Sequence, residues 1–411
     1  MATVLFCPVT FNLAETTRMI QVARALDTAH HPVFMGYEHD FVHLIRDAGF
    51  DYRACEPAWT DRQRDQAMAF DQGHTLRSPF THDLVAARVA VERDLIRELD
   101  ARAVVTGSNL TSFVSARAEH VPLFFPVPFA LTEAQVSQTR RMRFIDGNGR
   151  LTALLDRAAT AAFRWTYTSA PLAPRAFGKI AKANGVAAPR TVASLITADW
   201  NLLTEMPWEL EGFRLGPGYE RIGPIFAQID APVPDIVHAL AAAPEPLVYL
   251  GLGSSADRRL ALDAAHALAM LPVNVIAPIR QYLQPEDKLP GNVHVTDLLP
   301  ADKLGGLIDG AVTHGGQGTV QTACATGVPF VGMGLQPEQT WHVRMCQKRG
   351  NAIALTPKDV TRPVFLEAVR RVLDDPSIRA AAREVQEAYS HEDGAAAAAR
   401  IIEKHLSTPA N

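Results

Sequence analysis

The stretch Ala311 to Gln339, AVTHGGQGTVQTACATGVPFVGMGLQPEQ, decides the fold. A short apolar run ends at Thr313, as a buried strand does, and glycines follow at 315, 316 and 318. Glycine lets a chain turn tightly and approach a ligand with no Cβ in the way. The run from Gly318 to Thr326 reads as a helix, so its unsatisfied N–H groups and positive dipole end face back into the loop. Such a strand–loop–helix junction is an anion site. It is not a Walker loop, because no Gly-Lys-Ser/Thr follows, and the glycine spacing departs from the dinucleotide fingerprint. His314 and Thr319 supply side-chain donors at its mouth.

On both sides of this loop, strand-like and helix-like segments alternate. In the second half, 247–250, 273–277, 293–295, 310–313 and 330–332 read as strands; 259–270, 301–308, 318–326 and 341–349 read as helices. In the first half, 3–7, 33–36, 103–106 and 121–125 read as strands; 15–29, 40–48, 84–99 and 110–119 read as helices. Such alternation predicts α/β blocks with parallel sheets. Residues 132–190 turn helical and basic, which suggests two or three helices. A Gly- and Pro-rich stretch near 211–234 is the best linker. The expected organisation is a first domain over 1–215, a linker over 216–235, a second domain over 236–390, and a final helix within 391–411 returning to the first domain.

The bulk composition excludes several classes. The chain has 411 residues, 47% hydrophobic and 20% charged, with a formal net charge of −4. That balance gives no reason to expect nucleic acid as the main partner. Cys7, Cys55, Cys324 and Cys346 form no CxxC pair and match no zinc spacing, so no metal is expected and they read as buried or free thiols. No run of about 18 apolar residues suggests a membrane span. The N-terminus lacks the pattern of a signal peptide, so a cytoplasmic location is expected.

THGGQGT, then TGVP (Thr326 to Pro329), then PEQ (Pro337 to Gln339), in register, resemble the donor-binding signature of the GT-B glycosyltransferases, specifically the UDP-glycosyltransferase-like and macrolide or antibiotic superfamily. Further resemblances are LGLGS (Leu250 to Ser254), ERIGPI (Glu220 to Ile225) and NVHVTDLLP (Asn292 to Pro300). The likeness covers nearly the whole chain, most strongly from 220 onward. It implies the GT-B fold, two Rossmann-like domains with parallel sheets facing across a cleft. It also implies an inverting transfer of a sugar from a nucleoside diphosphate to a small-molecule acceptor such as a natural product. No cofactor beyond that donor substrate is implied, and a homodimer is compatible with it. By the same resemblance His314, Gly316, Gly318 and Thr319 hold the diphosphate and Gly253 and Ser254 flank it. Leu299 lies on the loop that meets the base. Glu338 and Gln339 bond the sugar hydroxyls, as an adjacent carboxylate and amide can.

The chain departs from the pattern at informative places. Thr322 stands where relatives that grip a ribose carry Glu, which leaves UDP and dTDP donors both open. Leu298 stands where many carry an aromatic before the base-binding loop. Glu15 stands where the family places a catalytic His, and Thr106-Gly107-Ser108-Asn109 lacks the Asp that orients that His. The two changes fit together. A neutral His needs a carboxylate to fix its tautomer, whereas a Glu base needs none and a second carboxylate only raises its pKa. Glu15 is thus the candidate general base, with a dipole-favouring acid at a helix start as the plainer reading. Asn12, Ser108, Asn109 and Phe129 are candidate acceptor contacts. Trp59, Phe80 and Phe125 read as acceptor floor or core. His39 with His43 lacks a third metal ligand; His74 and His82 lie in a polar loop. Arg280 reads equally as a phosphate contact or a solvated side chain, and Arg140, Arg141 and Arg143 as a solvated face. Two rivals remain: a sugar-nucleotide epimerase or hydrolase of the same fold, and a non-catalytic nucleotide-sugar-binding protein.

Overall fold

The computed structural model describes residues 2–37, 40–71, 75, 78–145, 147, 149–253 and 255–407, without the side chains of 68–71. The chain divides into two compact units, Met1–Ile225 with Asp393–Asn411, and Phe226–Glu392.

The first unit is built on seven strands: β1 (Thr3–Cys7), β2 (His31–Gly36), β3 (Asp51–Ala54), β4 (Ala101–Thr106), β5 (Leu123–Val127), β6 (Trp200–Leu203) and β7 (Tyr219–Arg221). Their order is β3-β2-β1-β4-β5-β6-β7 and every neighbouring pair is parallel. Side chains alternate across a strand, so Val4 and Phe6 point to one face and Leu5 and Cys7 to the other. On the first face Phe6 stacks on Phe34 at 5.0 Å. Met19, Ile20, Val22 and Ala23 of helix Leu13–Ala25 cover them, together with Ala398, Ala399 and Ile402 of helix Gly394–Leu406. The Glu403 carboxylate accepts the Asp27 N–H at 2.7 Å and fastens that last helix. On the second face lie Leu95 and Ile96 of helix His82–Glu98 and Phe113 and Ala116 of helix Ser112–Ala118. Each fully buried Val, Leu or Phe here contributes roughly 2 kcal/mol of hydrophobic stabilisation.

The basic region of this unit forms helices Glu133–Gln138, Arg150–Thr168, Arg175–Ala183 and Val192–Leu195. The long one turns its polar side inward. Asp156 and Thr160 are its buried residues. Asp156 accepts from Arg141 Nε at 3.0 Å and from the N–H groups of Arg143 and Ile145, while Thr160 accepts the Met142 N–H. Arg141 is therefore a partner of a buried carboxylate, not part of a solvated face. Leu151, Leu154, Leu155 and Trp165 of the same helix are exposed.

The second unit has six parallel strands: β8 (Leu247–Gly251), β9 (Asn274–Ala277), β10 (Val293–Val295), β11 (Gly310–Thr313), β12 (Phe330–Met333) and β13 (Ala352–Leu355). The order β10-β9-β8-β11-β12-β13 repeats the plan of the first sheet. One face packs on Ala264, Ala265 and Leu268 of helix Arg258–Leu268 and on Phe365, Val369 and Val372 of helix Pro363–Asp374. The other packs on Val237 and Leu240 of helix Asp235–Ala241. Both units are Rossmann-like. In each, the strand order reverses beside the first strand, at β1/β4 and at β8/β11. Ligands of such sheets bind beyond the strand C-termini at that switch point.

Residues 219–221 correct the linker reading, because Tyr219–Arg221 pairs with β6 as the sheet's last strand. A Gly- and Pro-rich surround is tolerated at an edge, where only one side of the strand is bonded. The expected helix over 301–308 is a single 3-10 turn, Ala301–Lys303.

Candidate functional site

At the β8/β11 switch, Thr313 pairs with Gly251. His314 follows, 6% exposed, with Nδ1 donating to the Gly251 carbonyl at 3.3 Å. Its imidazole fills the space that a Cβ at Gly253 or at Gly316 would occupy. Gly253 also has φ +59°, which favours glycine on its own account. Tyr282 Oη and Gln281 Nε2 both donate to the Gly253 carbonyl and hold this turn against the ring. Burial lowers the His314 pKa, against the opposing pull of the Gly251 carbonyl and the Glu338 charge. The ring is thus neutral with its proton on Nδ1, which leaves Nε2 as an acceptor.

Helix Gln317–Ala325 begins at Gly316 with no side chain capping it. Its first turn carries half-buried Gly318 and Thr319. Those N–H groups and the helix dipole suit a phosphate. Thr322 Oγ1 donates to the Gly318 carbonyl at 2.8 Å, so this hydroxyl is spent on its own helix. Gln339 is buried. Its Oε1 accepts the Leu335 N–H at 3.0 Å and its Nε2 donates to Ser255 Oγ at 3.2 Å, which ties the loop after β12 to the loop after β8. Glu338 lies 3.4 Å from His342 Nε2. Behind these helices the Cys324 and Cys346 thiols lie 3.6 Å apart and unbridged.

One expectation changes in this unit. Leu299 is 2% exposed and packs with Val237, Leu240 and Leu304, so its side chain is core and cannot meet a base; neighbouring Leu298, 54% exposed, is the one that faces out. Arg280 pairs with Asp297 at 2.8 Å at the surface. Ser254, like His39 and His74 in the first unit, lies outside the described residues. Among the described residues, no group of three or more His, Cys, Asp or Glu is placed to hold a metal.

At the β1/β4 switch of the first unit, Cys7 pairs with Thr106. Asn12, exposed, caps helix Leu13–Ala25 by accepting the Glu15 N–H at 3.2 Å. Glu15 points inward at 5% exposure. Its carboxylate accepts the Val9 N–H at 2.5 Å, and the N–H and hydroxyl of Ser108 lie near enough to favour its charged form. A Cβ at Gly107 would overlap the Glu15 carboxylate. The missing acid after β4 is therefore not a mere loss, because the Glu15 side chain occupies that space. Burial raises the Glu15 pKa, and the Val9 and Ser108 bonds and the Arg18 charge oppose it. Ser108 is exposed, so its hydroxyl is the point where this carboxylate reaches the surface.

Asn109 and Phe129 do not stand as direct acceptor contacts. Asn109 is buried, donating to Glu92 at 3.0 Å and accepting from Thr111 at 3.0 Å. Phe129 is fully buried, edge-on to Phe213 at 4.8 Å. The Asn109 bond exposes a residue that sequence reasoning missed. Glu92, 1% exposed, accepts from Tyr37 Oη, Asn109, Thr111 and Ser115. Arg88 stacks on the Tyr37 and Trp59 rings, 3.8 and 4.4 Å from their centroids. This network anchors the loop that carries Ser108. Trp59 and Phe80 pack edge to face at 5.2 Å, and Phe80 continues to Phe177.

Two Rossmann-like sheets, each reversing its strand order beside its first strand, are the plan of the GT-B fold. Residues 263–404 match the family described as erythromycin biosynthesis protein CIII-like, C-terminal domain. A PGL/p-HBAD biosynthesis glycosyltransferase of Mycobacterium tuberculosis is 25% identical over 397 residues, 94% of this chain and 88% of its own length. The 4'-demethylrebeccamycin synthase of Lentzea aerocolonigenes is 33% identical over 160 residues, 38% of each chain. Among solved structures, the spinosyn forosaminyltransferase SpnP aligns with TM-score 0.70 at 16% identity, over 98% of this chain and 99% of that one. The glycosyltransferase VinC, in complex with DTDP, aligns with TM-score 0.68 at 21% identity, over 98% of each chain. The chain is thus a glycosyltransferase similar to the macrolide and antibiotic glycosyltransferases, and sugar transfer of the natural-product type is the activity that these relatives support.

Proposed function

We propose that the chain transfers a sugar from a deoxythymidine diphosphate donor to a hydroxylated small-molecule acceptor, with inversion at the anomeric carbon. The observation that carries the donor site is the slot holding His314 between Gly253 and Gly316 at the open start of helix Gln317–Ala325. The diphosphate accepts from the N–H groups of Gly318 and Thr319, and from His314 once Nε2 is protonated. Charge that develops on the leaving diphosphate is stabilised where these donors already point. Glu338 and Gln339 take the sugar hydroxyls, Gln339 from a position fixed by Leu335 and Ser255. Preference for the deoxy donor rests on Thr322, whose hydroxyl is committed to Gly318 and leaves no carboxylate for a ribose 2'-hydroxyl. That VinC was solved in complex with DTDP supports this preference.

On the acceptor side, Glu15 is the base, acting through the exposed Ser108 hydroxyl. The acceptor O–H gives its proton to Ser108 Oγ as Ser108 passes its own to Glu15, while the acceptor oxygen bonds the anomeric carbon and the diphosphate leaves. A buried carboxylate with a raised pKa is a stronger base than a solvated one. Calorimetry with dTDP, UDP and ADP tests the donor half: dTDP should bind at least tenfold more tightly than UDP. Equal affinities would remove the assignment from Thr322, and no binding of any of the three would remove the donor site itself. Incubation with donor alone separates transfer from hydrolysis or epimerisation, because a transferase leaves the donor largely intact.

A further inference from the structure

The long helix Arg150–Thr168 is polar inside and apolar outside. Leu151, Leu154, Leu155 and Trp165 are 70%, 62%, 49% and 63% exposed. At 3.6 residues per turn they form one stripe along the outer side. Arg150, Arg157 and Arg164 recur every seven residues along one border of that stripe. Among the described residues, none of these three arginines has a carboxylate partner. The single described carboxylate of the helix, Asp156, is buried on the opposite side and bound to Arg141. From 140 to 175 the chain holds seven arginines and two aspartates, a net charge of +5, within a protein whose total is −4.

We infer that this face is a docking surface for an anionic lipid–water interface, on which the helix lies flat with its leucines and Trp165 in the acyl boundary and its arginines at the headgroups. An apolar stripe bordered by cations is the pattern of interfacial helices. Charge decides the occupant. A twofold contact with a second copy would bring the same uncompensated arginines from both sides into one interface, whereas a surface of phosphate headgroups answers them. An apolar surface alone would answer the leucines but not the charge. The helix is not a membrane span, and no helix among the described residues is long and apolar enough to be one. The inference is independent of the donor and acceptor assignments.

The test uses the full chain and vesicles of phosphatidylcholine, alone or with about 30% phosphatidylglycerol, in co-sedimentation. Binding should appear with the anionic vesicles and fall steeply in high salt, with a blue shift of tryptophan emission that Trp165→Phe removes. Each arginine near an anionic surface is worth about fivefold in partition, so a triple Arg150, Arg157 and Arg164 to Ala variant should bind roughly hundredfold more weakly. Leu154→Glu with Leu155→Glu should abolish binding. These side chains are exposed apart from half-buried Arg164, and circular dichroism with a thermal melt checks that the variants fold. Equal partition onto the two vesicle types, or none onto either, overturns the inference. So does a concentration-dependent dimer that the Leu154/Leu155 variant dissolves, or capture of an acidic protein partner by a chain that ignores vesicles.

Discussion

Replacing Glu15 by Gln separates a base from a structural pin. The two side chains have nearly the same shape, so the fold around Gly107 is preserved. The amide offers one acceptor oxygen where the carboxylate offers two, and the donors on Val9 and Ser108 together need both. The donor that loses its charged partner is half-buried or exposed and can turn to water, so the cost is about 1 kcal/mol. In a protein of this size each 1 kcal/mol moves Tm by roughly 2–4 °C, so Tm should fall by a few degrees at most. Loss of general-base catalysis lowers kcat by about 10²–10⁴. The pH profile gives the sharper sign. Burial raises the Glu15 pKa above its ordinary value of 4.5, and the base acts only when deprotonated. In the parent, kcat/KM should therefore rise with pH through a value above 4.5, and in Glu15→Gln that limb should vanish. Initial rates from pH 4.5 to 8 and a thermal melt are sufficient. Donor affinity should not change, because the residues assigned to the donor all lie within Phe226–Glu392. If the variant keeps more than a third of kcat, Glu15 only pins the two loops and the base lies elsewhere.

Three further outcomes are expected. Gly316→Ala drives a Cβ into the His314 ring, and should weaken dTDP binding at least tenfold by calorimetry while the protein remains folded. His314 is neutral in the free protein because burial lowers its pKa, so binding of a diphosphate should take up part of a proton near neutral pH. Titrations in phosphate and in Tris buffer, whose ionisation enthalpies differ, measure that uptake, and His314→Gln should abolish it. Glu119, held down to about 2 by Arg97 and Arg93, stabilises the fold at pH values above an ordinary carboxylate pKa, and that contribution is lost as pH falls towards 2. Urea melts of Glu119→Gln should accordingly show a deficit at pH 7 that narrows with acidification.

Strands buried on both faces were legible, because Thr3–Cys7 or Gly310–Thr313 can hardly be anything but an internal parallel strand. The edges were not. Asp51–Ala54 (DYRA) is largely exposed, and Tyr219–Arg221 (YER) carries no apolar alternation, so pairing on one side alone defines them. The strand–loop–helix backbone around His314, Gly316, Gly318 and Thr319 was legible, because composition limits what the chain can do there. Side-chain direction was not. Leu298 and Leu299 are adjacent leucines, and only the packing of Val237 and Leu240 shows which one is core. Glu92 sits in the run Glu92-Arg93-Asp94, which reads as a solvated helix face. Its four partners come from β2's end, the loop after β4 and the next helix, too far apart in sequence to announce one another.

The fastening of helix Gly394–Leu406 onto helix Leu13–Ala25 carries a consequence for how the protein is made. Glu403 reaches the Asp27 N–H across 376 residues, and Ala398, Ala399 and Ile402 complete the apolar layer over β1 and β4. The first unit is thus encoded in two pieces with the whole second unit between them. On the ribosome its seven strands can assemble early, but one patch of its core stays wet until the last piece emerges. The second unit is contiguous and needs no such wait. A released chain truncated after Glu392 should therefore hold a finished second unit and an unclosed first one, with the uncovered groove beside Met19 and Val22 offering chaperones and proteases their opening.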